Sequence, residues 1–116
     1  MGCVDFSIFD SHARRLKDGW TYVSGQRNWD EAKAYFQSFS LKGIADKITC
    51  PLYILHGSKD PIMPNETAIW LSKQAKGPTT LDLCEGGHHG CFNTPGGHIT
   101  QPRMADWLAR TLRAML

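Results

Sequence analysis

The chain has 116 residues, 41% of them hydrophobic and 21% charged, with a formal net charge of +2 at pH 7. That length holds one small domain with a single core, and the composition is that of a globular rather than a disordered protein. Lys and Arg are scattered, with no run longer than Arg14-Arg15, and no apolar stretch approaches the roughly 20 residues of a membrane span. Neither a nucleic-acid nor a membrane partner is expected.

The start, MGCVDFSIFD, has no basic n-region and no long apolar run, which reads as a cytoplasmic chain rather than a secreted one. Phe6 stands where an acylation pattern following Gly2 requires Ser or Thr. Val4, Phe6, Ile8 and Phe9 could end a strand, and residues 14–19 read as a short helix or turn. Asn28 followed by Glu31 resembles a capping box, and Ala32, Tyr35, Phe36 and Phe39 fall on one helical face. Leu52, Tyr53, Ile54 and Leu55 form a continuous apolar run between Pro51 and His56-Gly57, as in a strand covered on both faces. Asn65 can cap a helix running to about residue 76, which Gly77-Pro78 stops. Residues 79–84 read as a second strand, and a long loop over residues 85–101 leads to a last helix starting at Pro102. Met104, Trp107, Leu108, Leu112 and Met115 make one apolar stripe on it, expected to be core packing.

Strand, helix and strand in this order make a βαβ unit with parallel strands. The predicted class is therefore α/β: two parallel strands with flanking helices. A two-stranded parallel sheet leaves an apolar edge unpaired, which invites association and makes the chain read as the end of something larger.

In open α/β sheets, reactive groups gather in the loops at the carboxyl ends of the strands. Asp60 lies just past the first strand, in HGSKDPIMP, and His88 and His89 lie just past the second, in CEGGHHGCFN. Neighbouring strands are about 4.8 Å apart, so an acid on one loop can reach a histidine on the next. Such a pair is the acid–histidine half of a nucleophile–histidine–acid triad. The alternatives are a turn role for Asp60 before Pro61 and a polar loop for the histidines. A zinc site is disfavoured, because CEGGHHGC lacks paired C-x-x-C or H-x-x-x-H spacings. Cys91 as a nucleophile would put thiol and histidine on one loop, an unusual arrangement. The four cysteines, Cys3, Cys50, Cys84 and Cys91, fit reduced thiols, with Cys84 a small buried residue.

ITCPLYILHGSKDPIMP, then GHHGCFN, then MADWL, resembles the C-terminal end of α/β-hydrolases. It is most similar to the branch holding the 2,6-dihydroxypseudooxynicotine hydrolases, the fermentation–respiration-switch esterases and the fungal polyketide-shortening hydrolases. Matching features run from about Glu31 to the C-terminus. The resemblance implies residues 1–47 as a lid-like helical segment and residues 48–116 as the closing strand–helix–strand–helix of an incomplete core. It also implies Asp60 as the triad acid and His89, which fits H-x-C-x-N through Cys91 and Asn93, as the triad histidine, with His88 the alternative. The substrate implied is a small-molecule ester or ketone, with no cofactor and no metal. The G-x-S-x-G nucleophile elbow of such enzymes is absent from the sequence. The expectation is a hydrolase portion inactive alone; the rival is a non-catalytic chain pairing, with itself or a relative, through its open sheet edge.

Overall fold

The computed structural model describes residues 9, 10, 12, 14–91 and 99–116. Val4, Phe6, Ile8 and Asn93, singled out from the sequence, lie outside the described residues. Two compact units divide the chain, Met1–Lys42 and Gly43–Leu116.

The first unit carries helices α1 (Arg14–Ser24) and α2 (Trp29–Gln37). Helix α1 does not stop at Gly19 as the sequence suggested. An exposed glycine costs a helix only about 1 kcal/mol, and Trp20, one residue on, is anchored edge-on to Phe36 at 5.1 Å and tilted on Phe9 at 6.1 Å. Helix α2 starts as its cap predicts, with Asn28 Oδ1 accepting from Glu31 N at 3.0 Å. The Glu31 carboxylate turns back to the Arg27 backbone N–H at 3.2 Å and to its guanidinium. Phe9 is buried, and Asp10 beside it accepts from Trp29 Nε1 at 2.7 Å and from Lys33 Nζ at 2.9 Å. Of the apolar face expected on α2, Ala32 is buried, whereas Tyr35 and Phe39 are exposed.

The second unit is α/β. A short 3-10 turn (Ala45–Lys47) precedes strand β1 (Leu52–Gly57), helix α3 (Asn65–Gln74), strand β2 (Thr79–Cys84) and helix α4 (Thr100–Met115). The strands pair in parallel, from Leu52 opposite Thr79 to Gly57 opposite Cys84. Two parallel strands with flanking helices are compatible with part of an α/β-hydrolase fold. The crossover closes where Ile48 O accepts from Lys76 N and Gly77 N, at 3.0 and 2.9 Å, ahead of the first rung from Leu52 N to Pro78 O.

Three details differ from expectation. Asn65 is the first residue of α3 rather than its cap, because its side-chain Nδ2 donates to Ser58 O at 2.9 Å. Helix α4 starts two residues before Pro102, on the buried Thr100, so the proline sits inside the first turn, where its missing N–H costs nothing. The α4 stripe is only partly core. Trp107 stacks near Tyr53 at 5.3 Å and donates to Thr80 Oγ1 at 3.0 Å, while Met104, Leu108, Leu112 and Met115 remain exposed. Below Trp107, Asp82 accepts from both the Tyr53 hydroxyl and Arg103. Burial and that carboxylate push the Tyr53 phenol up to about 12. Among the described residues no helix is long and apolar enough to cross a membrane.

Candidate active site

Past their last paired residues, β1 and β2 stay laced together. Ser58 N donates to Cys84 O at 2.9 Å, Lys59 N to Gly87 O at 2.8 Å, and Gly86 N to the Ser58 hydroxyl at 2.8 Å. Contact this close requires a residue without a side chain at position 57. A methyl there would overlap the carbonyl oxygens of His88 and Gly87 and approach the Gly87 carbonyl carbon to 2.6 Å.

Asp60 follows three residues later. Its Oδ1 accepts from the backbone N–H groups of Ile62 at 2.8 Å and Met63 at 3.0 Å, an Asx-type turn that fixes the carboxylate against its own loop. Oδ2 is left to face the other loop, where it accepts from His89 Nδ1 at 2.8 Å. The Asp60 side chain is 3% exposed and that of His89 is 55% exposed. Burial pushes the Asp60 carboxyl up, but the Met63 and Ile62 N–H groups and His89 together outweigh it, and the group titrates below its ordinary value. Asp60 is therefore a carboxylate that only accepts. The proton of a neutral His89 ring sits on Nδ1, and the lone pair sits on Nε2.

The structure thus brings Asp60 and His89 together from the carboxyl ends of adjacent parallel strands. His88 is exposed and offers its backbone carbonyl to Cys91 N at 3.1 Å. Cys84 and Cys91 are both buried thiols that form no disulfide. Burial pushes the Cys91 thiol up, with the Cys84 side chain beside it adding to the effect, the reverse of what a thiolate nucleophile needs. Cys91 also holds left-handed backbone, φ 60°, as the chain turns under His89. Among the described residues no group of three or more His, Cys, Asp or Glu is placed to hold a metal ion.

A cavity of about 450 Å³ opens beside the pair, walled by Ile54, Leu55, Met63 and Leu71 and bounded by Asp60 and His89. Also on its wall is His56, which the sequence reading used only to end a strand. Its ring is 14% exposed, and its Nε2 lies 3.0 Å from Met63 O and 3.9 Å from Asp60 Oδ2. Its position at the carboxyl end of β1 was the available signal.

The chain is similar to the 2,6-dihydropseudooxynicotine hydrolase of Paenarthrobacter nicotinovorans, 29% identical over 114 residues. The match covers 97% of this chain and 30% of that protein. The relation to this α/β-hydrolase family is distant and partial. The chain spans about 30% of the length of the curated relative it matches. No family model matches the sequence, and no solved structure matches it.

Proposed function

We propose that the chain is part of a serine-type α/β-hydrolase acting on a small-molecule ester or on a carbon–carbon bond beside a ketone. The observation that carries this reading is the 2.8 Å bond from His89 Nδ1 to a buried Asp60 carboxylate, spanning two loops at the carboxyl ends of adjacent parallel strands. In the reaction, His89 Nε2 takes the proton of the attacking serine hydroxyl and returns it to the leaving group. Asp60 holds the ring in the Nδ1–H tautomer and stabilises the imidazolium that forms between the two steps. The partial likeness to a hydrolase supports the same reading.

The sequence carries no G-x-S-x-G, so the chain alone has an acid–base pair with no elbow serine to activate. The purified chain is expected to hydrolyse p-nitrophenyl acetate no faster than its His89→Ala and Asp60→Ala variants. Turnover lost in both variants would place a nucleophile within these residues and refute the partial-enzyme reading. A positive test replaces the matching stretch of the relative with this chain. Hydrolase activity of that chimera should vanish on His89→Ala; an active chimera indifferent to the change would sink the assignment.

A second reading draws on β1, whose apolar residues are only half-buried and whose one partner among the described residues is β2. An association through that strand edge would be non-catalytic. Sedimentation velocity of the chain separates the two readings, since a discrete oligomer with no esterase turnover in any chimera favours this one.

A further inference from the structure

We infer that His56 is a positioning residue for the Asp60–His89 pair, a role that rests on the catalytic reading of that pair. A backbone carbonyl can only accept, so the 3.0 Å contact between His56 Nε2 and Met63 O places the ring proton on Nε2. The peptide nitrogen of the same Met63 donates to Asp60 Oδ1 at 3.0 Å, one residue after Ile62 N does so at 2.8 Å. His56 thus holds the turn by the Met63 carbonyl while Asp60 holds it by the Met63 N–H. With both donors committed to Oδ1, Oδ2 is the oxygen left for His89.

The His56 ring also stands 3.9 Å from Asp60 Oδ2, beyond hydrogen-bonding distance. The Met63 carbonyl therefore does more than satisfy a half-buried imidazole. It holds a competing N–H off the oxygen that His89 uses. Without that grip, the 60–63 turn loses the contact that orients its second donor, and Asp60 can rotate its carboxylate away from the neighbouring loop. The other titratable groups on the wall of the cavity that His56 lines are Asp60 from the following loop and His89 and Cys91 from the loop after β2.

The test reads ring tautomers, which a merely structural histidine would not control. The chain, labelled with 15N-histidine, is examined by long-range proton–nitrogen correlation at about pH 8.5, two units above the ordinary imidazole value. The five histidines are assigned by single His→Gln variants. In the unmodified chain, His56 should carry its proton on Nε2 and His89 on Nδ1. In His56→Leu, His89 should lose the Nδ1–H signature and revert to the Nε2–H-dominated mixture of an unrestrained imidazole. In His56→Gln, whose amide N–H can still reach Met63 O, the Nδ1–H signature should survive.

A His56 ring protonated on Nδ1 in the unmodified chain overturns the inference, as does a folded His56→Leu chain with His89 unchanged. Should the leucine variant not fold, the tautomer of His56 in the unmodified chain and the behaviour of His56→Gln decide, and failure of either overturns it. An unmodified chain in which His89 itself lacks the Nδ1 proton overturns the catalytic pair as well. That outcome is distinct from an intact pair indifferent to His56, which removes the positioning role alone.

Discussion

Adding one methyl at Gly57 tests whether the closeness of the two loops is what builds the site. The Gly57→Ala methyl would lie 2.6 Å from the Gly87 carbonyl carbon, where ordinary contact begins at 3.4 Å, so relief needs the loops to part by at least about 0.8 Å. All the obstructing atoms are backbone, and no rotamer change can relieve them. The bonds from Ser58 N to Cys84 O and from Lys59 N to Gly87 O, at 2.9 and 2.8 Å, would be stretched out of range by that shift. Each is worth about 0.5–1.5 kcal/mol net, and forcing extra volume into a closed contact costs about 1–3 kcal/mol. Together these give a loss of about 2–6 kcal/mol, read as a lower urea midpoint at unchanged slope by far-ultraviolet circular dichroism. The control is Gly86→Ala on the same loop. That glycine has φ +68° with nothing near its missing Cβ, so only backbone strain of about 1–2 kcal/mol is added. A Gly57→Ala loss below about 0.5 kcal/mol, or one smaller than that of Gly86→Ala, would refute the reasoning.

Asp60→Asn keeps the shape of the turn but removes a charge held by three donors, and should cost about 1.5–3 kcal/mol at neutral pH. Because the folded-state value of Asp60 lies below the unfolded one, its contribution is complete above the ordinary value of 3.8 and disappears as pH falls through the lower folded value. Urea curves for the two chains should therefore differ most above about pH 5 and converge in acid; a gap constant down to about pH 2 would contradict this. Among the described cysteines, the exposed Cys50 should be alkylated by iodoacetamide well before the buried Cys84 and Cys91, as followed by mass spectrometry of tryptic peptides. Modification of Cys91 first would show its thiol to be open and activated. Asn28→Ala removes the cap on α2 and should cost about 1 kcal/mol, measured as a lower thermal midpoint of the helical circular-dichroism signal.

Where the sequence was read correctly, short-range physics was sufficient. The apolar run of Leu52, Tyr53, Ile54 and Leu55 between a proline and a glycine marks a strand, although its residues are half-buried rather than covered on both faces, and Asn28 with Glu31 sets a helix start through bonds within one turn. The misreadings lie where a partner distant in sequence decides. Gly19 looked like a stop, but Trp20 is held by Phe9 and Phe36. Asn65 looked like a cap, but Ser58 O claims its amide. The stripe on α4 is visible as a period, while whether a neighbour covers it is not a property of the period. Asp60 and His89 were legible as a pair because strand spacing constrains what adjacent loops can touch. The Ile62 and Met63 donors and the His56 ring were not, because they depend on how the loop after β1 folds over itself.

The hydrogen bonds that run on past Gly57 and Cys84 bear on how such a site could be transplanted. Every bond described for the acid and the histidine, and each of the three bonds that lace the two loops, starts and ends within residues 56–91. Alignment of the two functional groups is thus internal to one contiguous stretch of β1, α3, β2 and their two loops. Any other parallel sheet that accepted β1 and β2 would receive with them every hydrogen bond described for the Asp60–His89 pair.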